Sequence, residues 1–170
     1  QLLFVVRPNI SLMLSPPTEP VLEDRQSDLF TVTLQSGEAP VTVTPVAIGA
    51  ASIVPTSFIV TPGAPTGSFR VTYADIGPYT ISLSNDSDVI NPADYDFTVL
   101  VQPTIVVTPP VADIYSGVSS DAFTVELFNG YKPVTVTITS NVDALSTTSI
   151  ELTPAEPTAT FTLMDSLQGN

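Results

Sequence analysis

Few side chains in this sequence could do chemistry. The 170 residues include no histidine and no cysteine, and 17 acidic residues face only four basic ones, Arg7, Arg25, Arg70 and Lys132. There is also no glycine-rich phosphate loop. General acid–base catalysis, thiolate chemistry, disulfides and sulfur metal sites therefore lack the residues that they need. The sequence predicts a protein that is not an enzyme.

Four aspartates form the main group with ligand character: Asp86, Asp88, Asp94 and Asp96. They flank a loop predicted between the last two strands of a domain, and Ca²⁺ takes hard oxygen ligands of this kind. Their spacing matches no EF-hand, and acids in loops commonly just solvate a turn. Two interpretations are open, a calcium site or a solvated turn, and no other cofactor is expected.

Two asparagines fit the N-x-S/T glycan acceptor pattern. Asn9 precedes Ile-Ser, and Asn85 precedes Asp-Ser at the start of the same loop. Both positions can face solvent, so glycans are expected here in a secreted protein. The alternative is chance, because a chain rich in serine and threonine produces this tripeptide readily.

The charge and hydropathy of the chain limit which partners and which cellular location are expected. The formal charge of −13 repels phosphate backbones, so nucleic acid is not an expected partner. No apolar run approaches the ~18 residues of a membrane-spanning helix. Gln1 is not an initiator methionine and no basic segment precedes Leu2, so an intact signal peptide is not expected. An extracellular or cell-surface location is the expectation.

Composition predicts short strands as the elements that position these residues. Threonine and valine favour extended backbone because their branched Cβ restricts χ1. The 17 prolines interrupt helices and central ladder positions wherever they fall. A hydrophobic content of 43% is enough for real cores, so the sequence predicts an all-β protein with many turns.

The chain also repeats itself. The stretch SDLFTVTLQSGEAPVTVT at 27–44 matches SDAFTVELFNGYKPVTVT at 120–137, and TPGAPTGSF at 61–69 matches TPAEPTATF at 153–161. The offset is 93 residues in the first pair and 92 in the second, which is the signature of two paralogous domains. The predicted division is an N-terminal strand at 1–8, one domain at 9–102 and a second, incomplete domain at 103–170.

Alternation of apolar and polar residues locates about seven strands in the first copy, as a β-sandwich requires. They lie at 10–14, 30–34, 41–43, 58–60, 69–73, 79–83 and 95–101. The segment DIGPYTI, which contains Asp75, Gly77 and Tyr79, has a spacing that resembles the entry to the sixth strand, F, of immunoglobulin-like domains.

This segment resembles the tyrosine corner of immunoglobulin-like (Ig-like) domains. The sequence pattern FTV…PVTVT resembles Calx-β and bacterial Ig-like modules of surface proteins. The resemblance implies two tandem sandwiches in which the Tyr79 hydroxyl bonds to nearby backbone. The chain departs from antibody domains because it has no cysteine pair and no tryptophan.

The repeat also marks what each end corresponds to. Gly169 corresponds to Gly77, so the second domain is expected to lack its last two strands, F and G. In the N-terminal segment LLFVVRP, Pro8 follows an apolar run as Pro103 follows the last strand of the first copy. Leu2, Leu3, Phe4, Val5 and Val6 therefore resemble a final strand, G, whose domain lies elsewhere.

Two explanations are open. In the first, the subunit donates residues 2–6 to the unfinished second domain of a neighbour, which gives a head-to-tail homopolymer in a fibre or filament. In the second, the sequence is an adhesive or ligand-binding module from a longer array. Alternation predicts that one set of donor residues, Leu2, Phe4 and Val6 or else Leu3 and Val5, faces the acceptor core.

Overall fold

The structure, a computed structural model, describes residues 9–141 and 144–164. The described residues form antiparallel sheets and contain no α-helix, so the prediction of an all-β protein is confirmed. They also contain no helix with the length and hydropathy to cross a bilayer. The chain divides into two compact units between Val101 and Gln102.

Unit 1 is a sandwich of two four-stranded sheets. One sheet has the order β1-β2-β6-β4 and the other has the order β5-β3-β7-β8. The strands are β1 Ser11–Ser15, β2 Phe30–Gln35, β3 Val41–Ala47, β4 Ser52–Val54, β5 Phe58–Val60, β6 Thr66–Thr72, β7 Gly77–Asn85 and β8 Tyr95–Val99. Inward residues of both sheets form one buried cluster, as the alternation of a strand pattern requires.

The segment just before β2 joins the two sheets at their edges. The Glu23 N–H donates to the Leu100 carbonyl at 2.9 Å, and the Leu100 N–H donates to the Val21 carbonyl at 3.0 Å. Together these bonds make a parallel bridge between Leu22 and Leu100. Strand β1 makes a second parallel bridge, between Ser11 and Ile90. The first and last parts of unit 1 are thus hydrogen-bonded to each other.

Unit 2 has the counterpart of one sheet and half of the other. Its strands are β9 Thr104–Thr108, β10 Phe123–Phe128, β11 Val134–Thr137, β12 Ala144–Leu145, β13 Ser149–Leu152, β14 Thr158–Phe161 and β15 Leu163–Met164. Strands β14-β10-β9 form a sheet that corresponds to β6-β2-β1, and β11 pairs with β13 as β3 pairs with β5. In the described part of unit 2, nothing corresponds to β7 and β8.

The repeat extends to individual hydrogen bonds. In unit 1 the buried Ser27 hydroxyl donates to the Asp28 carbonyl at 2.8 Å and accepts from the Val71 N–H at 3.1 Å. In unit 2 the Ser120 hydroxyl donates to the Asp121 carbonyl at 2.8 Å and accepts from the Leu163 N–H at 3.1 Å. Each serine hydrogen-bonds the segment before β2 or β10 to the neighbouring strand. The two units therefore share one hydrogen-bond pattern.

Aromatic packing repeats in the same way. Phe30 stacks on Phe69 with ring centroids 5.3 Å apart, and Phe123 stacks on Phe161 at 4.9 Å. The turn after β2 is also shared, because Ser36 and Asn129 both have positive φ, 56° and 54°. These matches fix which residue of unit 2 corresponds to which residue of unit 1.

Candidate functional site

The open side of unit 2 is the candidate site, and strand β11 forms its edge. In unit 1 the Thr42 carbonyl accepts a hydrogen bond from the Asp86 N–H at 3.3 Å, so the backbone groups of Thr42 point toward β7. Backbone groups alternate sides along an antiparallel strand. The backbone N–H and carbonyl groups of the counterparts, Thr135 and Thr137, therefore point away from β13. They face the side that β7 covers in unit 1.

The other side of β11 is fully used. The Ile138 N–H donates to the Thr148 carbonyl at 3.0 Å, which extends the pairing of β11 and β13. The residue at this place in unit 1 is Pro45, which has no N–H; it pairs with Leu83 of β7 and lies past the end of β5. The edge of β11 that faces away from β13 is thus the place where unit 2 has room for another strand.

Apolar residues near this side are exposed in unit 2 and buried in unit 1. Leu12 in β1 is 4% exposed, whereas its counterpart Ile105 in β9 is 43% exposed. In unit 1 the Leu12 N–H donates to the Ile90 carbonyl at 2.8 Å, in the loop between β7 and β8. The described part of unit 2 has no such loop, and Ile105 is left exposed.

The segment before β10 shows the same difference. Val21 and Leu22 are each 4% exposed, but their counterparts Ile114 and Tyr115 are 45% and 66% exposed. The correspondence is secure because the residue two places further on, Asp24 or Gly117, has positive φ in both units. In unit 1 this segment is bridged to Leu100, which directly follows β8.

The core of unit 2 is open on the same side. Val41, Val43 and Phe30 are buried in unit 1, whereas Val134, Val136 and Phe123 are only partly buried in unit 2. In unit 1 the covering residues come from β7 and β8, namely Ile81, Leu83, Phe97 and Val99. The unit 2 face is therefore shaped like the surface that β7 and β8 bury in unit 1.

The predicted donor residues, Leu2, Leu3, Phe4, Val5 and Val6, lie outside the described residues, as do the N-terminal strand 1–8 and Gly169. The 92-residue offset puts the counterpart of the first residue of β7 at Gly169.

The four aspartates do not meet as a metal site. Among residues 9–141 and 144–164, no group of three or more acidic side chains is placed to hold a metal ion. Asp86 instead accepts from the Thr42 N–H at 2.8 Å and the Ser87 hydroxyl at 3.1 Å. Hydrogen bonds from Thr42, through its hydroxyl and its N–H, hold the pKa of the Asp86 carboxyl below its usual value.

The remaining aspartates of this group lie on the surface. Asp96 accepts from the Thr80 hydroxyl at 2.6 Å, across the pairing of β7 with β8, and Asp88 and Asp94 are exposed. Both interpretations of this group, a calcium site and a solvated turn, stay predictions.

The two glycan candidates differ in accessibility. Asn9 is exposed at the start of unit 1. The Asn85 side-chain nitrogen donates to the Val89 carbonyl at 2.9 Å and to Asn91 Oδ1 at 2.8 Å, while its oxygen accepts from the Ser87 N–H at 2.9 Å. Both N–H bonds of the Asn85 amide are used in this loop, and a glycan there would displace at least one of them.

The residues of the predicted tyrosine corner lie at the start of β7. Asp75 is exposed, and Gly77 has φ +143°, a conformation that residues with a side chain rarely adopt. The Tyr79 ring packs 4.1 Å from Tyr73 and 6.5 Å from Phe97, measured between centroids. The corner's hydroxyl-to-backbone bond stays a prediction.

Two features had no signal in the sequence. Strand β4, Ser52–Val54, is too short for alternation to reveal. A cleft of about 290 Å³ lies between the crossover after β1 and strand β8, lined in part by Pro17, Pro20, Phe30, Tyr95 and Phe97. The prolines and aromatics that line it come from separate segments, and only the fold brings them together.

The strand order and the pairing of first and last segments define unit 1 as an Ig-like β-sandwich. No protein-family model matches the chain. No curated protein matches it either.

Three solved structures are similar over nearly the whole chain. The D0-D1 domain of intimin is 18% identical with a TM-score of 0.42, covering 94% of this chain and 87% of that one. The adhesin InvE of Yersinia pseudotuberculosis is 13% identical with a TM-score of 0.40, covering 93% of this chain and 53% of that one. Domains 5-6 of the S-layer protein SbsC are 12% identical with a TM-score of 0.31, covering 96% and 86%.

Proposed function

We propose that this chain is a structural subunit of an extracellular fibre. Residues 2–6 of one copy enter unit 2 of the next copy, and the subunits join head to tail. The observation that carries the proposal is the exposure in unit 2 of Ile105, Ile114 and Tyr115, whose counterparts in unit 1, Leu12, Val21 and Leu22, are buried. An unfinished sandwich offers unpaired backbone and an apolar face, which an extended segment can fill.

The sequence of residues 2–6 suits this role. Five consecutive apolar residues, Leu-Leu-Phe-Val-Val, precede Arg7 and Pro8. β-Branched and aromatic residues fit a pleated strand, and burying each large apolar side chain contributes about 1.5–3 kcal/mol relative to exposure. Because donor and acceptor are different surfaces of one subunit, the contact does not close on itself and propagates as a filament.

Electron microscopy and sedimentation of the purified chain test the proposal. The intact chain is expected to form filaments, and a chain lacking residues 1–7 is expected to stay monomeric. A synthetic peptide of residues 1–8 should bind the shortened chain, and the same peptide with Phe4→Asp should not. An intact chain that remains a monodisperse monomer at all concentrations would refute the proposal.

The second candidate function is an adhesive or ligand-binding module. The cleft beside β8 favours it, because Phe30, Tyr95 and Phe97 give it an aromatic wall and Glu19 and Asp96 give it a polar rim. This function predicts that Phe97→Ala or Tyr95→Ala abolishes ligand binding while Phe4→Asp leaves it unchanged. Strand donation predicts the reverse dependence for filament formation.

A further inference from the structure

We infer that the donated strand takes the place of β8, with Leu2, Phe4 and Val6 turned into the core of unit 2 and Leu3 and Val5 turned outward. The inference rests on the proposed function and adds to it the position, the direction and the buried face of the donor. Unit 1 supplies the template, because its own last strand is fully described.

Strand β8 has one buried face. Val99 is 1% exposed, and Tyr95 and Phe97 pack against the core cluster, whereas Asp96 and Thr98 are exposed. Phe97 lies with its ring centroid 6.0 Å from Phe30 and 5.7 Å from Tyr73. The odd-numbered residues of β8 are therefore the ones that fill the core.

Two alignments of the donor on β8 give the same face. Matching Pro8 to Pro103 places Leu2 and Phe4 on Phe97 and Val99. Extending the 93-residue offset of β1 and β9 instead places Phe4 and Val6 on those two residues. The alignments differ by two residues, and side chains on a strand alternate with a period of two. Both therefore bury the set of Leu2, Phe4 and Val6.

The backbone partner of the donor follows from the same template. In unit 1 Leu100 pairs in parallel with Leu22, through bonds to Val21 and Glu23. The counterpart of Leu22 in unit 2 is the exposed Tyr115. The donor strand thus runs parallel to the segment at Ile114 and Tyr115, with Val5 opposite Tyr115 in the first alignment and Arg7 in the second.

Matched aspartate variants test the buried face. Phe4→Asp is expected to raise the concentration needed for half-maximal assembly by more than tenfold, or to abolish filaments, because it would bury a carboxylate. Leu3→Asp places the same charge one residue away and is expected to change that concentration by less than about twofold. The reverse pattern, or loss of filaments in both variants, overturns the assigned face while leaving strand donation in place. Normal filaments from both variants overturn the proposed function as well.

Engineered cysteines test the position, since the chain has none of its own. Val5→Cys or Arg7→Cys, each combined with Tyr115→Cys, is expected to give a ladder of disulfide-linked oligomers when filaments are oxidised. Leu22→Cys with Leu100→Cys is the control, because that bridge lies within one chain and should link it internally. Phe4→Cys with Tyr115→Cys should give no ladder.

The competing position is the open edge of β11. A donor there would be linked by Val5→Cys with Thr137→Cys. A ladder from that pair and none from the pairs with Tyr115 overturns the inference, although the polymer itself would still form by donation. Filaments that give no ladder with any pair also overturn it.

Discussion

Replacing Tyr73 with phenylalanine should make unit 1 more stable. Tyr73 is fully buried, with its ring 4.1 Å from Tyr79, and its hydroxyl has no hydrogen-bond partner among the described residues. An unpartnered buried hydroxyl costs about 1–3 kcal/mol of desolvation. Tyr73→Phe removes that cost and keeps the ring contacts, so we expect the free energy of unfolding to rise by about 1–2 kcal/mol. For a unit of this size, each kcal/mol raises the melting temperature by roughly 4–8 °C.

The same hydroxyl should make stability depend on pH in the alkaline range. Burial, with a smaller contribution from Tyr79, raises the pKa of Tyr73 from 10.0 to about 12. Between these values the unfolded chain loses its proton first, so stability that is present below pH 10 is lost as the pH rises. Two pKa units correspond to a loss of about 2.7 kcal/mol once the pH is above both pKa values.

Urea unfolding followed by near-ultraviolet circular dichroism would measure both effects. The parent chain and Tyr73→Phe are compared at pH 7 and at steps from pH 9 to 11.5, with Tyr79→Phe as the matched control. The difference between Tyr73→Phe and the parent should widen as the pH rises. A Tyr73→Phe chain that is destabilised by more than about 1 kcal/mol at pH 7 would refute the reasoning, because it would mean that the hydroxyl is hydrogen-bonded.

Three further predictions concern single polar side chains. Ser27→Ala leaves the buried Val71 N–H without its hydroxyl acceptor. The free energy of unfolding, measured by urea titration, should fall by about 1–3 kcal/mol. Ser52→Ala, at an exposed serine, is the control and should leave it unchanged. The pKa of Asp86 is lowered in the folded state, so the stability that it contributes is present at neutral pH and lost on acidification; thermal scans from pH 7 to 3 should show a smaller acid loss for Asp86→Asn. Mass spectrometry after secretion from a glycosylating host should find sugar on Asn9 and none on Asn85, and a glycan on Asn85 would contradict the loop geometry.

The strands of unit 1 could be predicted because their apolar residues alternate. Phe30, Val32 and Leu34 are all buried, as their spacing in the sequence requires. Strand β3 is longer than the predicted 41–43 and runs through Pro45 to Ala47. A proline ordinarily ends a ladder, but the nitrogen of Pro45 points to the side past the end of β5, where no hydrogen bond is needed.

The contacts of the candidate residues in unit 1 were less predictable. The sequence places Asn85 and Asp86 in a loop, but the bonds that engage them come from Val89, Asn91 and Thr42, which the fold brings together. The unpartnered hydroxyl of Tyr73 likewise depends on packing between sheets, which no local pattern records. The repeat does allow unit 2 to be compared with unit 1 residue by residue, because unit 1 provides an internal standard.

The parallel bridges of unit 1 have a mechanical consequence. Leu22 pairs with Leu100 and Ser11 pairs with Ile90, so segments near the two ends of the unit lie side by side and run in the same direction. When the ends of a unit are pulled apart, parallel segments of this kind slide past each other, and their hydrogen bonds carry the load together. Antiparallel hairpin strands would open one bond at a time. We therefore expect unit 1 to resist tension along the chain better than a unit whose first and last segments form an antiparallel hairpin.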